Sequence, residues 1–225
     1  DMAQASAKGY KGIGMEGFIA SWYAKNQARD MAAYRSDARI VAANTAVGGT
    51  ILDLAPGPGY LAIEIAKLGG YHVVGLDVSK TFVDIARQKA AEAGVQVDFQ
   101  QGNASQMPFA DDSFDLIVCR AAFKNFADPI GAINEMYRTL KLGGKGVIMD
   151  LNKDASPQEL DEHVQGMHAG AVDTLFMRMV FRTMLIPRAY TGQSFAAMAG
   201  QSRFGACRVE ARAIGLDVWL EKSAA

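Results

Sequence analysis

Cysteine, histidine and proline are scarce in this chain of 225 residues, which has two, three and six of them. Two cysteines cannot build a disulfide framework. Cys119 and Cys207 fall in segments read as strands, so buried thiols in a reducing cytoplasm are expected. No metal-ligand spacing appears among Cys and His, which argues against a metal site. An excess of charge of one sign is lacking too. The formal net charge is −1 with 21% charged residues, so nothing favours nucleic acid or an anionic membrane as a partner. No apolar run is long enough to span a bilayer, and no secretory signal opens the sequence as it stands. Repeats and low-complexity tracts are absent. What remains is a chain that is 50% hydrophobic and long enough for one sizeable core. Six arginines gather late, from Arg178 to Arg212, and one or two could take an anionic substrate group.

The organising stretch is Ile51-Leu52-Asp53-Leu54-Ala55-Pro56-Gly57-Pro58-Gly59-Tyr60-Leu61. Thr50 to Leu54 reads as a buried strand ending beside an acid. A turn of small residues follows, where backbone can approach a ligand. Leu61, Ile65 and Leu68 then share one side of a helix. About 20 residues beyond the turn, Tyr71 to Ser79 reads as a second buried strand, ending in Asp77. That spacing places the Asp77 carboxylate where it can accept from both hydroxyls of a ribose. Gly57 to Ala62 also fits the G-x-G-x-x-A of dinucleotide folds, so a nicotinamide-dependent oxidoreductase competes. Asp53 discriminates, because a carboxylate at the strand tip repels a pyrophosphate and attracts a cation.

At this point the chain resembles the class I S-adenosyl-L-methionine (SAM)-dependent methyltransferases, of the small-molecule, ubiquinone/menaquinone-methyltransferase-like type. Their first motif is an acid, a spacer and a G-x-G-x-G loop. Ala55 stands where that loop has its first glycine, an exchange expected to cost little if its φ is negative. Further along, Gly102-Asn103-Ala104 stands where the family has G-D-A. The run Pro108 to Val118 is similar to P-F-x-D-x-S-F-D-x-V, and Leu140 to Gly144 to the L-K-P-G-G turn. Where related enzymes carry His-His, this chain has Lys124-Asn125, which removes an obvious imidazole base.

The resemblance implies a Rossmann-like, seven-stranded, mostly parallel sheet with one antiparallel strand near the C-terminus and helices on both faces. A single domain over 1–225 is expected, with an N-terminal arm and lid helices in 1–47 and the cofactor-binding core in 48–151. A helical cover in 152–200 and closing strands in 201–225 complete it. The glycine-rich residues 1–14 read as a mobile arm that closes over the cofactor, followed by helices over 15–31 and 31–47. Ser79 and Asp128 are natural N-caps, Ser156-Pro157 opens a helix, and Gly94 stops one. Strands are expected over 95–100, 114–119, 146–151, 206–211 and 216–220. Val172, Leu175, Phe176, Met179, Val180 and Met184 mark an amphipathic face in the cover.

The same resemblance implies methyl transfer from SAM to a small-molecule acceptor, with no metal required. Asp53 would hold the methionine ammonium, and Ala55, Gly57 and Gly59 would give close backbone contact. Asp77 would take the ribose and Val78 would pack on the adenine. Asn103 and Ala104 would read the adenine edge, Asn103 accepting through its carbonyl and donating through its amide; the competing reading is a turn Asn in the left-handed region. Arg120, at the carboxyl end of the fourth strand, and the aromatics Tyr10 and Tyr23 complete the cofactor-binding set. The catalytic candidates are Asp150, Lys124 and Tyr10, with His163 and His168 behind them. A non-catalytic SAM-binding module is the remaining alternative. The protein is expected to be a cytoplasmic monomer or homodimer with no nucleic-acid partner.

Overall fold

Ile51, Leu52 and Leu54 of β1 (Thr50–Leu54) are fully buried, on alternating sides of one strand. Burial on both faces is what a central parallel strand needs, and it explains a continuous apolar run in place of an alternating one. Each such side chain contributes about 1.5–3 kcal/mol. The computed structural model describes residues 9–11, 31–166, 175 and 178–223. Among them β2 (His72–Asp77), β3 (Asp98–Gln101), β4 (Phe114–Arg120), β5 (Leu140–Leu151), β6 (Arg208–Arg212) and β7 (Gly215–Glu221) complete a seven-stranded sheet. Its order is β3-β2-β1-β4-β5-β7-β6. Strands β1 to β5 run parallel, with Leu52 beside Val74 on one side and Ile117 on the other. Strand β7 runs antiparallel to both β5 and β6, placing Val147 opposite Trp219. The one antiparallel strand is therefore where it was expected.

Among the described residues there are six helices: α1 (Met31–Ala43), α2 (Tyr60–Lys67), α3 (Lys80–Glu92), α4 (Pro129–Thr139), α5 (Pro157–Gly166) and α6 (Gly192–Gln201). One core joins Leu52, Leu54, Ile117 and Ile148 to Ile133 and Met136 of α4 and Phe195 of α6. The other joins Ile51, Leu116, Val118 and Val147 to Tyr34, Ala38 and Val41 of α1, with α2 and α3 beside them. Polar side chains fix the helix starts. Ser79 accepts from the Phe82 amide at 3.2 Å, and Asp128 accepts from the Gly131 amide at 2.8 Å with Pro129 behind it. At α5 the Ser156 hydroxyl accepts from the Glu159 amide while the Glu159 carboxylate accepts from the Ser156 amide, closing a capping box.

Several boundaries differ from the expected ones. The third strand begins at Asp98 rather than at residue 95, because the Val95 amide donates back to Ala90 O at 3.1 Å, finishing α3 behind Gly94. The fifth strand starts early, at Leu140. Its Leu-Lys-Leu-Gly-Gly stretch pairs at Leu140 with Phe114, then slips register before Lys145 meets Leu116. The sixth strand is Arg208–Arg212, so Cys207 stands just before it. In the cover, Leu175, Met179 and Met184 are exposed and Phe181 is buried, so the expected amphipathic face does not pack as one stripe. Phe181–Leu185 is a π-type turn and Ile186–Arg188 a 3-10 turn. The helix expected over 15–31, with Trp22 and Tyr23, lies outside the described residues, as does His168. Of the N-terminal arm, residues 9–11 are described. They join the 125–127 loop through Lys11 N to Asn125 O at 2.7 Å and Ala127 N to Gly9 O at 3.2 Å.

Candidate functional site

Because the chain winds from β1 towards β3 and then returns to start β4, the carboxyl ends of β1 and β4 diverge and leave a crevice. A cavity of about 910 Å³ opens there. The tips of β1, β2, β4 and β5 bring Asp53, Asp77, Arg120 and Asp150 to its wall. Val78, Asn103, Ala104 and Tyr10 join them on the β1–β3 side, and Lys124 near the tip of β4. His163, Phe181, Leu185, Arg188, Arg212 and Ile214 line it on the β5–β7 side.

The glycine turn works differently at each position. Ala55 has φ 59, in the left-handed region, not the negative φ under which the exchange from glycine was to cost little. A β-carbon there costs about 1–2 kcal/mol, and the amide of Ala55 to Leu76 O at 2.8 Å holds it in place. Gly57, at φ 55, has no atom within 4 Å of where a side chain would begin, so the space above it is open to a ligand. Gly59 does not line the cavity. A β-carbon there would meet Ala86 and Phe99 at 2.8 Å, so this glycine lets α2 pack on α3 and β3.

Asp53 is 1% exposed, and among the described residues no donor bonds to either of its carboxylate oxygens. Burial pushes its carboxyl up from 3.8 to about 7; the nearby Ala62 amide, which does not meet hydrogen-bond geometry, pulls it down, Asp77 pushes it up and Arg120 pulls it down. Asp77 is engaged already. Its two oxygens accept from the amides of Gly57 and Ser79, each at 2.9 Å, so the carboxylate pins the glycine turn to the start of α3. The Asn103 carbonyl accepts from the Ser105 amide at 3.0 Å and the Ser105 hydroxyl at 3.1 Å, which leaves the amide NH₂ as the group for a ligand. Asn103 has no positive φ, so neither expected form of this residue holds in full.

Arg120 donates to Asp37 of α1 at 2.6 Å, and its guanidinium lies 4.1 Å from the centre of the Tyr34 ring. Arg212 approaches the same Asp37 at 2.5 Å and Asp217 at 3.5 Å. Burial raises the Asp217 carboxyl, opposed by Arg212. Asp37 and Asp217 escaped the sequence reading. The legible signal was Asp37 sitting inside the Tyr34–Ala38–Val41 stripe of α1, an acid on an apolar face. Lys124 and Asp150 form a buried pair at 2.8 Å, side chains 7% and 2% exposed. Lys124 also donates to Ala121 O at 2.7 Å, and the amides of Lys124 and Leu151 donate to Asp150. Neither is placed as a free base. His163 lies along the cavity, its ring 5.9 Å from that of Phe181. Cys119 is buried on β4, and burial followed by the Asp150 and Asp53 charges raises its thiol well above the usual range, so it is an inert filler.

The model of the family described as "Methyltransferase domain" matches residues 52–148, the segment that carries the glycine turn and the tips of β1, β2 and β4, with Asp150 just beyond it. Residues 52–148 are thus similar to a methyltransferase domain. The chain is 37% identical over 107 residues to a demethylmenaquinone methyltransferase of Deinococcus radiodurans, covering 47% of this chain and 44% of that protein. It is 34% identical over 113 residues to the ubiquinone/menaquinone biosynthesis C-methyltransferase UbiE of a Marinomonas species, covering 48% and 45%. The aligned part thus spans about half the length of these curated relatives. A candidate S-adenosyl-L-methionine-dependent methyltransferase of Methanococcus maripaludis shares the fold at a TM-score of 0.74 and 22% identity, over 96% of this chain and 97% of its own.

Within the matched segment, Asp77 has a structural task besides any contact with a ligand. Asp77→Ala strands two backbone amides, and a hydrogen bond to a charged group is worth about 1.5–3 kcal/mol. The variant is expected to unfold at lower urea concentration than the parent, with Asp77→Asn, which keeps one acceptor oxygen, in between. Equal midpoints for all three proteins would remove the brace.

Proposed function

We propose that this protein transfers the methyl group of SAM to a small-molecule acceptor. The observation that carries the reading is Asp53: a buried carboxylate without a hydrogen-bond donor, at the wall of a cavity beside an open glycine turn. Such a group fits the α-ammonium of SAM and conflicts with a pyrophosphate. SAM when bound supplies an electrophilic methyl whose departure leaves a neutral thioether. The remaining assignments follow from the lining residues. Asp77 receives the ribose hydroxyls, Gly57 leaves room for the ligand, and Val78 and Ala104 bound the adenine. The Asn103 amide donates to a ring nitrogen, Tyr10 covers the cleft from the arm, and Arg120 steadies α1 against β4.

For the transfer itself, proximity and alignment in a closed cavity supply much of the rate, up to ~7–11 kcal/mol in favourable cases. Where the acceptor must lose a proton, His163 is the group proposed to take it, since Lys124 and Asp150 hold each other. The relatives' names put quinones among the first acceptors to try. No helix among the described residues is long and apolar enough to cross a membrane, and a cytoplasmic enzyme without a nucleic-acid partner completes the reading.

The test has two arms. SAM and S-adenosylhomocysteine at 100 times their Kd are expected to stabilise the protein by ~2.7 kcal/mol, seen as a rise in Tm, whereas NAD at the same concentration leaves Tm unchanged. Labelled methyl from SAM is then followed into a panel of quinones, phenols, amines and thiols. Stabilisation by NAD and not by SAM would overturn the proposal.

A further inference from the structure

The charged side chains around the cavity nearly all find partners. Lys124 pairs with Asp150, and Arg120 and Arg212 are matched by Asp37 and Asp217. Two acids line the β1–β2 side, Asp53, whose oxygens have no hydrogen-bond donor among the described residues, and Asp77, held by backbone amides. One cation is left on the opposite side: Arg188, which lines the cavity with no ion pair or hydrogen bond among the described residues. On the cover, Asp161 is already shared by Arg178 at 3.3 Å and Arg182 at 3.2 Å.

Arg188 is also held on firm backbone. Pro187 precedes it in the 3-10 turn, and the Ala189 amide closes that turn onto Ile186 O at 3.0 Å. Ala189 is buried, and Tyr190 packs its ring on Phe123 and Phe195 while its carbonyl accepts from the Lys153 amide. Beside Arg188 the wall is apolar, made of Phe181, Leu185 and Ile214. An unpaired guanidinium on a pinned turn next to an apolar wall is suited to a molecule with a hydrophobic body and an oxyanion.

Resting on the methyl-transfer reading above, we propose that the acceptor is amphipathic and anionic: its apolar body lies against Phe181, Leu185 and Ile214, and Arg188 receives its carboxylate or other oxyanion. The cavity is then polarised, with acids towards the cationic cofactor and a cation towards the acceptor. Arg188 is a specificity residue, remote from the transferred group.

The experiment uses the full chain loaded with S-adenosylhomocysteine and a matched pair of fluorescent probes. One is 8-anilinonaphthalene-1-sulfonate; the other, N-phenyl-1-naphthylamine, has the same rings and no sulfonate. Parent, Arg188→Gln, Arg188→Lys and Arg39→Gln, an exposed arginine on α1, are compared. The sulfonate probe is expected to bind Arg188→Gln about tenfold to a hundredfold more weakly than the parent. Arg188→Lys should recover part of the loss and Arg39→Gln should show none. The uncharged probe is expected to bind all four alike. Equal affinity of the sulfonate probe for parent and Arg188→Gln, or a parallel loss for both probes, overturns the proposal. The Kd of S-adenosylhomocysteine, taken in the same samples, separates the two readings. If it does not bind, the methyl-transfer reading fails, whereas a normal Kd with an indifferent Arg188 sinks the anionic acceptor alone.

Discussion

Asp53→Asn is expected to melt higher than the parent at pH 8 and to bind SAM at least tenfold more weakly. In the unfolded chain this carboxyl ionises near 3.8, whereas in the folded protein burial pushes it up to about 7. Between those two values the unfolded state holds fewer protons than the folded one, so stability falls as pH rises through the window and the penalty is complete above it. About three units of difference correspond to roughly 4 kcal/mol as an upper bound. Asparagine removes the charge and keeps a buried amide that is itself poorly partnered, a cost of about 1–3 kcal/mol. The net gain is therefore about 1–3 kcal/mol, which for a chain of this size is roughly 2–12 °C in Tm. Below about pH 4 the gain disappears. The ligand reverses the sign. An ammonium placed beside Asp53 favours its ionised form, so SAM affinity should climb as pH rises through 7, with proton release on binding below that pH. Scanning calorimetry at pH 5 and pH 8, and titrations in two buffers of different ionisation enthalpy, read both effects. An Asn variant that melts lower at pH 8, or binds SAM as well as the parent does, would show that Asp53 belongs to the scaffold alone.

The same buried, donor-free acid is why the proposed cofactor side could be read from the residues. An acid at the end of an apolar strand is a local conflict, and such conflicts tend to mark sites. The strands were equally legible, since Leu52, Leu54, Ile117 and Ile148 meet one core while Ile51, Leu116 and Val147 meet the other. What stayed hidden depends on contacts distant in sequence or on backbone angles. Asp37 meets Arg120 across 83 residues, and spacing along one helix carries no information about that partner. Gly59 reads as a ligand glycine from its place in the motif, yet Ala86 and Phe99 leave no room there for a β-carbon and give it a packing role. Ala55 passed as a harmless replacement, because composition does not report a φ of 59. The Asn103 carbonyl was lost to Ser105, two residues on, through a local turn that competes with ligand binding. In the cover, Met179 and Met184 fit helical spacing in the sequence but are exposed, and a π-type turn over Phe181–Leu185 interrupts that spacing.

Lys124→Met is expected to destabilise the protein by about 3–5 kcal/mol, the cost of leaving one member of a buried ion pair alone. Asp150 would still accept from the amides of Lys124 and Leu151, at 3.1 and 2.8 Å, which places the effect nearer the lower figure. Two strand tips depend on this pair. Lys124 donates to Ala121 O, and Ala121 sits at φ 57 with its amide on Met149 O at 2.7 Å. The lysine therefore holds a strained turn after β4 against the end of β5, where the family's His-His would stand. Converting both partners, Lys124→Met with Asp150→Asn, should return most of the stability, because neither charge is then left uncompensated. A double-mutant cycle in urea gives the coupling, expected to exceed 1 kcal/mol for residues in direct contact. Turnover then separates scaffold from chemistry. A positioning pair predicts that the double variant regains kcat along with stability, with KM for the acceptor moved by the altered wall. If the double variant folds as well as the parent and yet transfers no methyl, Lys124 or Asp150 touches the reacting atoms, and the proton role proposed for His163 passes to that residue.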